Sequence, residues 1–218
     1  QAMSDESASQ CGFCTPGFVV SLAGFCLSDA EPNKENALAA LSGNICRCTG
    51  YKSIEKAAER VCSSMEEKGN QNAIEFAVQN GHLPEYLLEI PSRLTALQQN
   101  LNGALQPKTG SPKFLGGGTD LYVQQHDTMP HTDIEFLFHK PVLNGIEEKD
   151  GICFMGAACT VTDMLESPVF QSHFPNLKAF GKLISSTPIR NIATVAGNFI
   201  NASPIGDLSI FFLSLDAQ

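Results

Sequence analysis

The feature that most constrains how this chain can fold is a set of two closely spaced cysteine pairs. Two residues separate Cys11 from Cys14, one residue separates Cys46 from Cys48, and 31 residues lie between the pairs. Short cysteine loops of this kind can converge on one centre, and thiolates are the ligands that soft metals and iron–sulfur clusters prefer. The pattern therefore predicts one metal site with four cysteine ligands.

The other four of the eight cysteines do not cluster. They lie within apolar patterns, where a free cysteine behaves as a small hydrophobic residue: Cys26, Cys62, Cys153 and Cys159. A disulfide-based secreted domain is usually shorter than this chain, and its cysteines are spread more evenly. We therefore expect these four residues to pack in the core and the clustered four to bind metal.

Spacing alone leaves the identity of the metal open. Structural zinc also takes four cysteines, but its paired ligands are commonly separated by two to four residues. The tighter pair of Cys46 and Cys48 favours an iron–sulfur cluster, whose negative charge needs nearby donors. Candidates for these donors are the backbone at Gly12, the two helix N-termini that follow the cysteine loops, and the Arg47 side chain.

Hydrophobic periodicity divides the chain into three parts. Residues 1–68 have helical spacing, with helices expected from the N-cap Thr15, after the N-cap Asn33 and from about Ser53. Residues 69–112 are predicted to be a surface linker with partial helical character. Residues 113–218 have the alternating short elements of an α+β domain. These predicted elements are strands at 114–115 and 134–138, a hairpin at 145–157, helices at 162–166 and 175–183, and a strand-like segment at 193–198.

Two segments of the α+β part contain the small residues that let a backbone approach a bulky ligand. In the first, a strand ends in three glycines at 116–118 and Thr119, where N–H groups can face an anion and the threonine can cap a helix. This spacing is not the dinucleotide fingerprint of a Rossmann fold. The second segment covers residues 189–198 and 202–208. Taken alone, each segment is better explained as a tight structural turn or loop.

Charge and hydropathy exclude two classes of partner. The net charge is −9 and the 14 Lys and Arg residues are scattered singly, so the chain lacks the basic clusters of a nucleic-acid-binding protein. No apolar run is long enough to cross a bilayer. We therefore expect a cytoplasmic protein that binds neither nucleic acid nor membrane.

Both cysteine pairs lie within longer motifs, Gln10–Gly17 and Gly43–Tyr51. In nearly every position these motifs resemble the helical [2Fe–2S] domain of the xanthine dehydrogenase/aldehyde oxidase family of molybdenum hydroxylases. The resemblance implies that Gln10 lies close to a molybdopterin cofactor on another chain or domain. It also implies that the [2Fe–2S] cluster nearer the molybdenum is bound by Cys11, Cys14, Cys46 and Cys48.

The two ligand-binding segments resemble the FAD domain of the same family, which has the vanillyl-alcohol-oxidase type of fold. The resemblance places the FAD pyrophosphate at the glycine loop, with contacts from Phe114, Leu115, Gly116, Gly117, Gly118, Thr119, Asp120 and Leu121. It implies a second group of FAD contacts from Thr194, Val195, Ala196, Gly197, Asn198 and Asp207. Ile184 lies where the family has an aromatic contact, and the aromatic ring is absent here. The fold class expected is α+β, with an all-helical [2Fe–2S] domain at 1–68 and the start of a FAD-binding domain at 113–218.

The resemblance implies the small, iron–sulfur and FAD subunit of a bacterial xanthine dehydrogenase, as a fragment that is not active alone. Electrons would pass from molybdopterin on a large partner subunit through the [2Fe–2S] cluster to FAD, and on to NAD or oxygen, within a hetero-oligomer. A ferredoxin-like domain is expected before residue 1, and the FAD domain is expected to continue beyond Gln218. The alternatives are an aldehyde oxidoreductase or another molybdenum hydroxylase, a zinc-stabilised module without a redox role, and an autonomous flavin oxidase with structural cysteines.

Overall fold

A computed structural model describes residues 1–101 and 111–218 of the chain. The molecule separates into two compact units, Gln1–Leu105 and Gln106–Gln218. Each unit has a hydrophobic core of its own. Within the described residues, no helix combines the length and the apolar character needed to span a membrane.

The described elements of the first unit are helices. They are α1 (Ala2–Asp5), α2 (Thr15–Cys26), α3 (Lys34–Ala40), α4 (Lys52–Glu66), α5 (Ala73–Gln79), a 3₁₀ turn (Glu85–Glu89) and α6 (Ile90–Leu101). The expected helix starts are confirmed with one change, since α2 begins at Thr15 itself and Cys14 takes the N-cap position without a side-chain bond. Asn33 caps α3 as predicted, with its side chain accepting a hydrogen bond from the backbone N–H of Asn36.

Helix α4 builds the core of the first unit. Its inward stripe includes Ile54, Ala57 and Cys62, which are almost fully buried against Phe18 of α2 and Ala37 of α3. The small alanines let the helices approach closely, and the periodic apolar face gives them one packing surface. This core sets the relative positions of the loops before α2 and before α4, which are the two cysteine loops.

The short helix α1 is tied to α4 by charge. Arg60 of α4 pairs with Asp5 at 2.9 Å and with Glu6 at 3.3 Å, and Met3 of α1 is buried in the core. Exposed ion pairs contribute little stability each, so the buried methionine is the main anchor. Together they hold the segment that leads into the first cysteine loop.

The segment predicted to be a linker contains helices in its described part. Asn72 caps α5 by accepting hydrogen bonds from the N–H groups of Ile74 and Glu75, and Phe76 is buried. Residues 102–110 of the predicted linker lie outside the described residues. The domain bounds 1–68, 69–112 and 113–218 remain predictions.

The second unit combines two small sheets with short helices. Strand β1 (Lys113–Leu115) pairs in parallel with β2 (Ile134–Phe136), and β3 (Ile146–Lys149) pairs antiparallel with β4 (Ile152–Met155). The helices are α7 (Leu121–Gln124), α8 (Val161–Glu166), α9 (Pro168–His173), α10 (Leu177–Gly181), α11 (Thr187–Arg190), α12 (Val195–Asn201) and α13 (Asp207–Ser214), with 3₁₀ turns at Met129–His131, Leu137–His139 and Pro141–Leu143. The α+β class, with a helical unit first, is confirmed.

The predicted hairpin is present and its turn explains its register. Lys149 pairs with Ile152, so the turn residues are Asp150 and Gly151, which have positive φ values of 53° and 77°. Two consecutive positive φ values define a type I′ turn, whose twist matches that of antiparallel strands.

Several sequence-based predictions about this unit are wrong. The strand expected at 134–138 is shorter, since β2 ends at Phe136 and Leu137–His139 forms a 3₁₀ turn. Residues 193–198 do not form a strand-like segment, because Thr194 caps helix α12 and only one isolated bridge, between Thr160 and Thr194, has strand character. The helix expected at 175–183 is shorter, since α10 spans Leu177–Gly181. Cys153 is exposed on β4 instead of packed in the core.

Candidate iron–sulfur and flavin sites

The two cysteine loops lie where the core of the first unit brings two helix starts together. Cys14 directly precedes α2, and the loop with Cys46 and Cys48 runs from the end of α3 to α4. Gly12 and Gly50 have positive φ values of 82° and 62°, which glycine adopts without steric cost.

The four predicted ligands form two pairs, each with one cysteine from each loop. The sulfurs of Cys11 and Cys48 are 3.5 Å apart, and the side chains of Cys14 and Cys46 interact directly. Two sulfurs that share a tetrahedral ion at about 2.3 Å lie about 3.7 Å from each other. The spacing of the first pair therefore suits two ligands of one ion.

A two-iron cluster fits this arrangement. Each iron of such a cluster takes two of the four thiolates, which matches two cross-loop pairs. The donor set and its grouping thus fit a [2Fe–2S] cluster.

Hydrogen-bond donors surround the sulfur of Cys46, which is the most buried of the four ligands. The Thr49 hydroxyl, 3.3 Å away, and the backbone N–H groups of Thr49 and Cys48 lower the pKa of Cys46 to about 7. The backbone at Phe13, with the thiol of Cys48, lowers the pKa of Cys11. These donors favour the thiolate form that binds metal.

A side-chain contact that the sequence analysis missed joins the second loop to α2. The Asn44 amide donates to the Ser21 hydroxyl at 2.8 Å, and a Cβ at Gly17 would lie only 2.5 Å from Asn44 Oδ1. A side chain at position 17, three residues after Cys14, would therefore displace the Asn44 amide. Gly17 and Asn44 both lie within the motifs that flank the cysteines.

Large apolar side chains flank the cysteines on the surface of the first unit. Phe13 is 94% exposed and Ile45 is 82% exposed, and each is a sequence neighbour of a predicted cluster ligand. Gln10 is exposed as well, and so is Arg47. The structure gives Arg47 no buried position between the thiolates.

In the second unit, the structure brings the two predicted FAD-binding segments together. A Cβ at Gly116 would lie 2.7 Å from Thr194 Oγ1, and a Cβ at Gly117 would overlap the backbone carbonyl of Ile192. The glycine loop therefore packs directly on residues 192–194. Its glycines are required by this contact between two backbones, independently of any ligand.

Asn201 links the same two segments and was not predicted. Its amide donates to Asp120 Oδ1 at 2.9 Å, and its carbonyl oxygen accepts from the Gln124 side chain at 2.9 Å. Asn201 lies three residues after Asn198 on α12, but both of its partners belong to a distant part of the sequence, so no local pattern identifies this contact.

The remaining predicted FAD contacts differ in how a ligand could reach them. Leu115 and Val195 are buried in the core. Asp207 and Phe114 are exposed. Thr119 does not cap a helix, because α7 begins at Leu121 after Asp120 and has no side-chain cap. Ile184, like Leu115, is a buried core residue.

One buried polar atom indicates that the flavin segments are built for a ligand. Within the described residues, Asn198 Oδ1 is buried and has no hydrogen-bond partner. This oxygen faces Gly206, where an added Cβ would lie 3.3 Å from it. Buried acceptors are nearly always satisfied in proteins. A ligand with several N–H and O–H donors, such as FAD, fits this position.

Two family models match the chain. One, described as a [2Fe-2S] binding domain, matches residues 1–59. The other, described as the FAD binding domain in molybdopterin dehydrogenase, matches residues 88–218. The two cysteine loops lie within the first match, and the glycine loop and the segment around α12 lie within the second.

Individual relatives are similar to the chain over different extents. Xanthine dehydrogenase 1 of Arabidopsis thaliana is 25% identical over an aligned length of 292, which covers 100% of this chain and 21% of that protein. The nicotine 6-hydroxylase small subunit of Paenarthrobacter nicotinovorans is 43% identical over 72 residues, which cover 33% of this chain and 42% of that one.

Among solved structures, a carbon monoxide dehydrogenase from Hydrogenophaga pseudoflava, which lacks the Mo-pyranopterin moiety of its cofactor, is 28% identical. The match covers 50% of this chain and 37% of that one, with a TM-score of 0.36. The chain spans about a fifth of the length of the Arabidopsis thaliana xanthine dehydrogenase that it matches.

Proposed function

Because the chain belongs to the molybdenum hydroxylase family, with a [2Fe–2S]-binding domain and a FAD-binding domain of molybdopterin dehydrogenase type, we propose that it is an electron-transfer part of such an enzyme. In this proposal, electrons from a molybdopterin centre on another chain or domain pass through a [2Fe–2S] cluster at Cys11, Cys14, Cys46 and Cys48. They then reach FAD, and NAD or oxygen is the final acceptor.

The observation that carries this proposal is the grouping of the four cysteines. Cys11 and Cys48 from different loops have their sulfurs 3.5 Å apart, and Cys14 and Cys46 form the second cross-loop pair. When bound, the cluster and the flavin supply the redox chemistry. In this proposal, the chain supplies the cysteine ligands of the cluster and the N–H donors near Cys46. It also supplies the glycine loop, which packs on the backbone of Ile192.

The exposed face around the first cysteine loop supports a partner that holds molybdopterin. Exposed aromatic side chains at a functional site commonly mark a protein interface, and Phe13 is almost fully exposed beside Cys14. The small-subunit relative supports a division of the enzyme among chains. We infer a hetero-oligomer in which this face meets the molybdopterin-bearing chain or domain.

The substrate proposed is xanthine, with an aldehyde or another heterocycle as the alternative. Xanthine dehydrogenases are among the relatives that match the whole chain, and an indole-3-acetaldehyde oxidase matches 92% of it. The nicotine 6-hydroxylase small subunit has the higher identity, 43%, but only over 72 residues. In this proposal, the molybdopterin-bearing part determines which substrate reacts.

The experiment that tests the ligand assignment compares Cys46→Ser with Cys62→Ser in the intact protein. The wild type is expected to contain about two iron atoms and two acid-labile sulfides at this site. Cys46→Ser should lose both, because it removes one ligand. Cys62→Ser should keep them and lose only packing stability, because Cys62 lies in the core of α4.

Three other outcomes would contradict the proposal. Equal cluster loss in both variants would remove the distinction between ligands and core cysteines. Zinc in place of iron would support a structural module without a redox role. Flavin without iron in the wild type would support an autonomous flavin oxidase.

A further inference from the structure

Three hydrogen-bonding contacts close a ring within the second cysteine loop. The backbone N–H of Cys46 donates to the Tyr51 hydroxyl at 3.0 Å, and the backbone N–H of Tyr51 donates to Thr49 Oγ1 at 3.2 Å. The Thr49 hydroxyl lies 3.3 Å from the sulfur of Cys46. Tyr51 closes the ring through a positive φ of 69°, which a bulky residue rarely adopts. The ring therefore fixes the Thr49 hydroxyl against Cys46.

The direction of the bond between Thr49 and Cys46 follows from the other two contacts. The oxygen of Thr49 already accepts the N–H of Tyr51, which leaves the hydroxyl proton free to be donated. A cysteine that binds metal is a thiolate and has no proton to give. The hydroxyl must then donate to the sulfur.

We propose that Thr49 is a positioning residue that sets the reduction potential of the [2Fe–2S] cluster through its hydrogen bond to Cys46. This inference rests on the proposed function, since it takes Cys46 as a cluster ligand. Reduction adds negative charge to the cluster and its thiolates, and hydrogen bonds to the sulfurs are among the factors that set the potential. A donor at the sulfur stabilises the reduced state more than the oxidised state. Loss of the hydroxyl should therefore make the potential more negative.

The chain offers a matched control for this experiment. Thr49→Val removes the hydroxyl and keeps the branched shape, and Thr49→Ser keeps the hydroxyl. Thr15→Val makes the same chemical change beside Cys14, but the Thr15 hydroxyl lies 2.7 Å from Ser9 Oγ and has no such bond to a sulfur. Potentiometric titration of the intact protein, followed by electron paramagnetic resonance, measures the midpoint potential of the cluster in each variant.

The expected result is a more negative midpoint potential in Thr49→Val, with Thr49→Ser and Thr15→Val close to the wild type. If Thr49→Val does not assemble a cluster, assembly in Thr49→Ser would still support a role of the hydroxyl, whereas loss in both would overturn it. An unchanged potential in Thr49→Val would overturn this inference and leave the proposed function standing. Absence of a cluster from the wild type would overturn both.

Discussion

At the scale of single residues, the glycine loop is held by a backbone contact that a side chain would block. Gly117 lies so close to the carbonyl of Ile192 that a Cβ atom would overlap it. Gly118 has a positive φ of 72°, which favours glycine as well. The sequence correctly indicates that the loop needs glycine, and at position 117 the backbone contact requires glycine without any ligand.

We expect Gly117→Ala to destabilise the second unit. The added methyl group must displace the backbone at Ile192, and such overpacking costs about 1–3 kcal/mol in the free energy of unfolding. FAD content should fall with it, because the two FAD-binding segments are joined there. Chemical denaturation and flavin analysis of the purified protein measure both effects.

Gly24→Ala is the matched control for this substitution. Gly24 lies within α2, and a Cβ there would meet no atom within 4 Å. Alanine has a higher helix propensity than glycine, so this variant should be up to about 1 kcal/mol more stable. Wild-type stability and flavin content in Gly117→Ala would contradict the packing described at the glycine loop.

At the scale of elements, Thr194 both caps α12 and packs against the glycine loop of the candidate flavin site. Thr194 is buried, and its hydroxyl accepts a hydrogen bond from the backbone N–H of Gly197 at 3.1 Å. The Thr194 side chain also packs against Gly116, where a Cβ would lie 2.7 Å from Thr194 Oγ1. One threonine thus starts the helix and supports the glycine loop.

Thr194→Val should lose the cap of α12 while it keeps the shape of the side chain. Loss of an N-cap costs about 1 kcal/mol, and the freed Gly197 N–H lies beside Asn198, whose buried oxygen has no partner within the described residues. We expect lower stability and weaker FAD binding, measured by denaturation and by fluorescence titration with FAD. Thr194→Ser keeps the hydroxyl and should restore both. Wild-type stability and FAD affinity in Thr194→Val would contradict the role given to the cap.

Helices with a long apolar stripe could be predicted from the sequence, and short elements could not. The stripe of α4 recurs over four turns, so its face and its start are unambiguous. Helix α12 has seven residues that begin with Val195 and include Gly197, both poor helix formers. The conformation of α12 depends on the Thr194 cap and on packing against α13. The packing is a tertiary contact, and a single capping threonine is too weak a signal to predict the helix.

For the candidate sites, too, local features could be predicted from the sequence and contacts between distant segments could not. Cysteine spacing within each loop and the flanking motifs predict which four cysteines act together, although 31 residues separate the two pairs. The cross-loop pairing of Cys11 with Cys48 depends on how α2, α3 and α4 pack, and spacing does not specify it. Asn201 reaches Asp120 across 81 positions of the chain, so no local pattern could reveal that contact.

At the scale of the whole molecule, the chain places a cluster site and a flavin site on two separate compact units. This order matches a carrier that accepts electrons at one cofactor and delivers them to the next. The account therefore has one central claim, which is that electrons reach FAD only through the site formed by the four cysteines.

The most direct test of this claim is substrate-driven reduction of FAD in the assembled enzyme, with wild-type or Cys46→Ser chain. Xanthine and a panel of aldehydes and N-heterocycles identify the substrate, and stopped-flow absorption follows the flavin. We predict that substrate bleaches the flavin of the wild-type assembly, and that the flavin of the Cys46→Ser assembly stays oxidised although FAD is still bound. Reduction of FAD in the Cys46→Ser assembly at the wild-type rate would contradict the account.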